Sequence, residues 1–245
     1  MNNKEMLICS DIHGRSFWRK VINSNLPVVF LGDFVDSYHH EQISWKQEYQ
    51  EFLDIIQFAK ENPTRVILLL GNHCGHYCGL SNDYARFNFE HAEELYEIYN
   101  SNKDLFKIAY RKDNILFSHA GISTGWLKEN NIEEDPNTIV DILNSFKAFN
   151  RDWIDYLLYN KPKKYNKNPL AQIGRSRGGD YWNGSPLWAD LGEMIFNSAF
   201  QDSLIQICAH SQLKDTGTFI CNNNYYCCDS RAVFIWNGNE LKLYE

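Results

Sequence analysis

Asp11 and His13 stand two residues apart. In an extended segment that spacing turns both side chains to the same side, where they can reach one ion. Similar groupings recur along the chain: Gly32-Asp33-Phe34-Val35-Asp36, Gly71-Asn72-His73, Ser118-His119-Ala120-Gly121 and Ala209-His210-Ser211-Gln212. Each follows a short apolar run and offers a carboxylate, an amide oxygen or an imidazole. That donor set suits manganese, iron, zinc, nickel or cobalt rather than a calcium cage or a thiolate site. Two ions about 3.5–4 Å apart need a ligand in common, and Asp33 is the natural candidate. One such segment alone is usually an accident or a satisfied polar pair; five in this order are not.

Something must hold these segments together. Met6–Ser10, Pro27–Leu31, Arg65–Leu70, Ile115–Phe117 and Leu204–Cys208 read as short buried strands, each running straight into one of the polar segments. In α/β sheets ligands gather beyond the carboxyl ends of strands, so five such ends imply one shared site. Ser44–Glu61 has helical periodicity and stops before Pro63; Ser16–Ser24, Tyr84–Tyr99 and Thr138–Tyr159 also read as helices. Asn160–Gly184 is polar and reads as a long loop. Near the C-terminus, Thr218–Cys221, Tyr225–Cys228, Val233–Trp236 and Leu241–Tyr244 read as strands, with Asn222-Asn223-Asn224 and Asn237-Gly238-Asn239 as turns. Early strand–helix alternation and late hairpins predict a mixed α/β sandwich, with residues 1–245 forming a single domain.

Composition narrows the function. The chain has 245 residues, 44% of them hydrophobic, and a formal charge of −7. Such a balance suits a globular protein and argues against nonspecific duplex nucleic-acid binding, which needs a basic face. No apolar run is long enough to cross a membrane, and Met1–Cys9 lacks the apolar core of a signal peptide. Seven cysteines without a framework spacing read as reduced thiols in a cytoplasmic protein. Cys227 and Cys228, adjacent in a strand, should point to opposite faces in a structural role. A separate zinc site at Cys74-Gly75-His76-Tyr77-Cys78 is rejected for want of a second ligand pair.

The five segments resemble those of the calcineurin-like metallophosphoesterase superfamily, in particular its phosphoprotein-phosphatase branch. The matching motifs are D-x-H-G at Asp11–Gly14, G-D-x-V-D-R-G at Gly32–Tyr38, G-N-H-E at Gly71–Cys74, H-[GA]-G at His119–Gly121 and A-H at Ala209–His210. Weaker matches follow at Pro186–Asp190 and Cys228–Ser230. The resemblance implies a four-layer αββα fold and a binuclear centre that hydrolyses phosphate esters. Asp11, His13 and Asp33 would hold one ion; Asp33, Asn72, His119 and His210 would hold the other. Manganese is the first choice of metal, with iron, zinc, nickel or cobalt as alternatives. His73 would protonate the leaving group, with Asp36 orienting it.

Two positions depart from the branch. Ser37 replaces an arginine that forks onto the phosphate, and Cys74 replaces an acidic residue. Arg177, and after it Arg175, in the Gly174–Gly179 segment, are the candidates to bind phosphate instead. His39, His40 and His76 read as surface histidines. The expected substrate is a phosphorylated partner, a phosphoprotein or a nucleotide. A phosphomonoester of the Ser/Thr-phosphatase kind comes first. The alternatives are a 2′,3′-cyclic phosphate, a dinucleoside polyphosphate, an end-phosphorylated nucleic acid, or a non-catalytic scaffold on the same fold.

Overall fold

The computed structural model describes residues 5–83, 85–161, 166–214, 217–221 and 224–245. In chain order the strands are β1 (Met6–Cys9), β2 (Val28–Phe30), β3 (Val66–Leu69), β4 (Phe106–Lys107), β5 (Ala109–Lys112) and β6 (Ile115–Ser118), followed by β7 (Ile205–Cys208), β8 (Phe219–Cys221), β9 (Tyr225–Cys227), β10 (Val233–Trp236) and β11 (Leu241–Leu243). The helices are α1 (Trp45–Glu61), α2 (Asn72–Cys78), α3 (Ala92–Ser101), α4 (Thr124–Glu129), α5 (Ile139–Ser145), α6 (Asp152–Tyr159) and α7 (Leu191–Asn197).

Side-chain alternation sorts the strands into layers. In β1, Met6 and Ile8 join one apolar cluster while Leu7 and Cys9 join another, and all four are fully buried. The first cluster takes Val29, Leu31 and Leu69 from β2, β3 and their ends, and Ile115, Phe117 and Ile207 from β6 and β7. It is the seam between two sheets. One sheet runs β11-β10-β1-β2-β3-β4 and the other β5-β6-β7-β9-β8. β1 through β4 are parallel, as are β6, β7 and β9, whereas β5, β8, β10 and β11 pair antiparallel. The outer face of the first sheet packs on Phe52, Ile55 and Ile56 of α1 and Leu95 and Tyr99 of α3. The outer face of the second packs Cys208, Tyr225 and Cys227 against Met194 of α7. Each large apolar side chain so covered contributes roughly 1.5–3 kcal/mol. Two mixed sheets flanked by helices are therefore the architecture, as expected.

The strand predictions hold to within a residue or two. Cys227 and Cys228 do fall in different clusters, on opposite faces. The six cysteines with described side chains are free and buried. Helix α1 is capped by the Ser44 hydroxyl, which accepts from Gln47 N. Three helix expectations need correction. Ser16–Ser24 forms only a 3-10 helix at Phe17–Val21. Thr138–Tyr159 divides into α5 and α6, because the connecting segment is tied back to the core through Asn150 N and Cys78 O, 3.2 Å apart. Tyr84–Tyr99 is helical only from Ala92. Before it the chain is pulled out of helix, with Asn88 N bonded to the Tyr77 hydroxyl at 2.9 Å and Phe87 stacked on Tyr77. Tyr84, Asn222 and Asn223 lie outside the described residues. The Asn160–Gly184 loop carries two 3-10 turns, Pro169–Ala171 and Arg175–Arg177, with residues 162–165 outside the description. β4, β5, α2, α4 and α7 have no counterpart among the predicted elements. No helix among the described residues is long and apolar enough to cross a membrane.

Candidate metal centre and active site

The carboxyl ends of β1, β2 and β3 in one sheet and of β6 and β7 in the other point toward the same edge of the sandwich. Asp11, Asp33, Asn72, His119 and His210 follow them, and all line or border one cleft of about 220 Å³ together with His13 and His73. The backbone here is bent hard. His13, Asp33, Asp36 and His210 adopt left-handed conformations at φ 45°, 48°, 66° and 65°. For residues with a Cβ each such turn costs on the order of 1 kcal/mol, and it is at functional sites that such turns accumulate. The loops after β1 and β2 are laced together by His13 N to Asp33 O at 2.6 Å and Gly14 N to Phe34 O at 2.9 Å. Gly32, at φ 116°, and Gly71 allow these loops to touch. A Cβ at Gly32 would lie 2.6 Å from Gly71 N, and one at Gly71 would overlap the Asp33 carboxylate.

Each imidazole is aimed by a backbone acceptor. His13 Nδ1 donates to Val35 O at 2.7 Å and His119 Nδ1 to Leu31 O at 2.8 Å. Their Nε2 atoms therefore carry lone pairs. His119 Nε2 faces Asn72 Oδ1 at 2.9 Å and Asp33 Oδ2 at 3.4 Å, and His13 Nε2 faces Asp33 Oδ2 at 3.8 Å. Acceptors thus converge on one another, and among the described residues buried Asp11 Oδ1 and His210 Nε2 have no hydrogen-bond partner. Donor atoms of Asp11, Asp33 and His119 lie within 4.8 Å of one another. Converging lone pairs, buried carboxylates and orphaned acceptors are the pattern a cation satisfies, so the residues present fit divalent ions.

Electrostatics agree. Burial pushes Asp11 well above the usual carboxylate range, with Asp229 and Asp33 adding to the effect. Burial likewise drives His13 down to about 3 and holds His210 well below its ordinary value. Neutral imidazoles are the form that ligates metals. Asp229, in the weakly matching Cys228–Ser230 segment, is pushed up to about 6 by burial, and it too sits near Asp11.

Beside this centre lies a second grouping. Asp36 Oδ2 accepts from His73 Nδ1 at 2.9 Å, and Asp36 Oδ1 from the Tyr77 hydroxyl at 2.5 Å. Asp33 Oδ1 accepts from His73 N at 2.8 Å, tying the two groupings together. Burial raises Asp36 well above its ordinary value, against the pull of the Tyr77 hydroxyl, and lowers His73. Glu48, buried on α1, holds the Asp36–Ser37 turn by accepting from both backbone amides at 3.1 Å and from the Ser37 hydroxyl.

Some expectations are redistributed. Arg177 lines the cleft, paired with Asp190 at 2.8 Å and donating to Ser211 Oγ at 2.7 Å. Arg175 is not brought in; its guanidinium stacks on Trp182, 3.7 Å from the ring centroid. His39 and His40 are exposed, but His76 is fully buried, edge-on to His73 with ring centroids 4.9 Å apart. Cys74 turns into the core, where burial pushes its thiol up to about 12. Trp188, within the weak Pro186–Asp190 match, lines the cleft against His210. Sequence reasoning missed Arg86, Tyr38, Tyr77 and Glu48. Arg86 was read as helical, yet it sits at φ 59° in a loop. It donates to Asp36 O and to His73 Nε2, both at 2.7 Å, and stacks on Tyr38 at 3.9 Å.

Among known proteins, a family model described as calcineurin-like phosphoesterase matches residues 5–211. No curated protein sequence matches the chain. Among solved structures, a protein serine/threonine phosphatase from Saccharomyces cerevisiae with similarity to human phosphatase PP5 superposes with a TM-score of 0.57. Identity is 13%, over 100% of this chain and 81% of that one. At that identity the likeness is one of fold.

Proposed function

The chain belongs to the calcineurin-like phosphoesterase family, and on that premise we propose that it is a two-metal phosphomonoesterase acting on phosphoserine- or phosphothreonine-type substrates. The observation that carries the reading is the convergence of lone pairs from Asp33, Asn72 and His119 beside the Asp36–His73 pair. Asp11, His13 and Asp33 would hold one ion and Asp33, Asn72, His119 and His210 the other, with manganese the first choice. When bound, such ions lower the pKa of water and neutralise phosphoryl charge.

The chain's own groups do the rest. His73, tied through Nδ1 to Asp36, turns its Nε2 lone pair toward Arg86, and to act as proton donor it takes up a proton at Nε2 and gives it to the leaving-group oxygen. Asp36 fixes the ring's orientation and tautomer through Nδ1. Arg177 places a guanidinium on the cleft wall, where it can fork onto phosphoryl oxygens. Trp188 and Tyr38 supply apolar ring surface to the cleft wall. Residues 1–245 act as one domain in this reading, because β10 and β11 at the C-terminal end complete the sheet that begins with β1.

The test is hydrolysis of p-nitrophenyl phosphate and its bis ester by chelator-stripped protein, before and after adding Mn²⁺. Metal-dependent turnover with the monoester ahead is the expected result. Equal turnover without metal, or a bis ester hydrolysed faster, would count against the reading.

A further inference from the structure

Arg86 lies in the cleft for a reason its sequence neighbourhood does not advertise. The cleft is lined by Asp11, Asp33 and Asp83, by imidazoles, and by two guanidinium groups, those of Arg86 and Arg177. Their partners differ. Arg177 is neutralised by Asp190, whereas Arg86 is held by neutral groups: the Asp36 carbonyl, His73 Nε2 and the face of Tyr38. Among the described residues no carboxylate is hydrogen-bonded to this guanidinium, so its N–H groups can be turned to an incoming anion. Its backbone sits at φ 59°, a conformation a side-chain-bearing residue holds only when its surroundings enforce it.

The position matters as much as the charge. Family resemblance places a phosphate-binding arginine at residue 37, but here Ser37 turns its hydroxyl to Glu48 instead. Arg86 reaches the same turn from a different segment, bonding the residue before Ser37 and covering the ring of the residue after it.

We infer that Arg86 is the phosphoryl clamp of this enzyme, binding two oxygens of a phosphate monoester dianion in place of the arginine missing at Ser37. This rests on the phosphoesterase reading above. The Nη2–H group that now donates to His73 Nε2 turns to donate to a phosphoryl oxygen when substrate arrives, which frees the Nε2 lone pair to take a proton from solvent and deliver it to the leaving-group oxygen. One contact is exchanged for another, and until a phosphate draws the guanidinium to itself Arg86 keeps the Nε2 lone pair occupied. The preference for a dianion over a diester follows, since the clamp and Arg177 line the same cleft and a diester carries one charge fewer.

The experiment measures inorganic phosphate binding to Mn²⁺-loaded protein by calorimetry, alongside steady-state hydrolysis of p-nitrophenyl phosphate and its bis ester. Arg86→Met should weaken phosphate binding by about 10- to 100-fold, the range for a lost charge-assisted hydrogen bond. It should raise KM for the monoester by a similar factor and change the bis ester far less. Arg86→Lys, which keeps the charge but not the fork, should fall between. Unfolding midpoints without phosphate identify any variant that is merely misfolded, and the lysine variant then carries the comparison. A parent that turns over substrate while Arg86→Met binds phosphate within twofold of it overturns this inference alone. A parent that neither hydrolyses these esters nor binds phosphate overturns it together with the proposed function. Equal losses on monoester and bis ester also overturn it, since they mark a structural role.

Discussion

Replacing Asp36 by Asn tests the acid–base assignment more sharply than deleting His73. The Asp36 carboxylate accepts two hydrogen bonds, from His73 Nδ1 at 2.9 Å and from the Tyr77 hydroxyl at 2.5 Å. An amide has one acceptor oxygen and a donor nitrogen in the same space. If the oxygen faces Tyr77, the NH₂ group confronts His73 Nδ1. The proton must then move to Nε2, where the Arg86 guanidinium already donates at 2.7 Å. If the oxygen faces His73, the NH₂ group confronts the Tyr77 oxygen, which already accepts from Asn88 N at 2.9 Å. Either way one buried polar group loses its partner, at roughly 1–3 kcal/mol of stability. The catalytic loss is selective. A group that must protonate a leaving oxygen contributes about 10²–10⁴-fold, and only when that oxygen is a poor leaving group. Mn²⁺-loaded Asp36→Asn should therefore lose about 10²-fold or more in kcat on a phosphoserine peptide and much less on p-nitrophenyl phosphate, whose leaving group departs as a stable anion. Nitrogen-detected NMR of the ring of His73 should tell the two orientations apart, with the proton moved to Nε2 if the amide oxygen faces Tyr77 and still on Nδ1 if it faces His73. Full activity on the peptide, or equal losses on both substrates, would refute the reasoning.

Three further outcomes follow from the same geometry. Asp33→Asn removes the oxygen that faces both His13 and His119, at 3.8 and 3.4 Å. Bound Mn²⁺, measured by elemental analysis after dialysis, should fall below the parent's, with activity down by at least about 10²-fold. Gly71→Ala places a Cβ against the Asp33 carboxylate and 2.7 Å from His119 Cε1, so metal retention and activity should be lost with about 1–3 kcal/mol of stability, and a variant that retains both would be inconsistent with the close packing. In chelator-treated protein, burial raises the Asp229 pKa from 3.8 to about 6. Between those pH values the native state holds a proton that the unfolded chain has released, so Asp229 costs progressively more stability as pH rises. Asp229→Asn should therefore gain on the parent by up to roughly 3 kcal/mol between pH 4 and pH 7, read from denaturant titrations at each pH; a difference that does not change with pH would contradict the placement.

Much of the protein was legible in the chain itself. The apolar runs before Asp11, Asp33, Asn72, His119 and His210 marked β1, β2, β3, β6 and β7, because burial on both faces demands uninterrupted hydrophobics and a polar residue then signals the strand's end. The spacing of Asp11 and His13, the glycines that let loops close, and the Asp36–His73 pairing could be inferred from residue type and the family resemblance. What needed the tertiary structure were contacts between segments distant in sequence. Periodicity placed Tyr84–Tyr99 in a helix, since Ala92, Leu95 and Tyr99 continue a pattern that local sequence cannot terminate. Only the packing of Phe87 on Tyr77 and the Tyr77–Asn88 bond draw the preceding residues out of helix. That local unwinding carries Arg86 into the cleft, while Arg175, beside Arg177 in sequence, is turned away onto Trp182. Donor types and their order along the chain belong to the sequence. Which arginine faces the donors depends on the side chains that compete for it, and those meet only when the sheets and loops are folded.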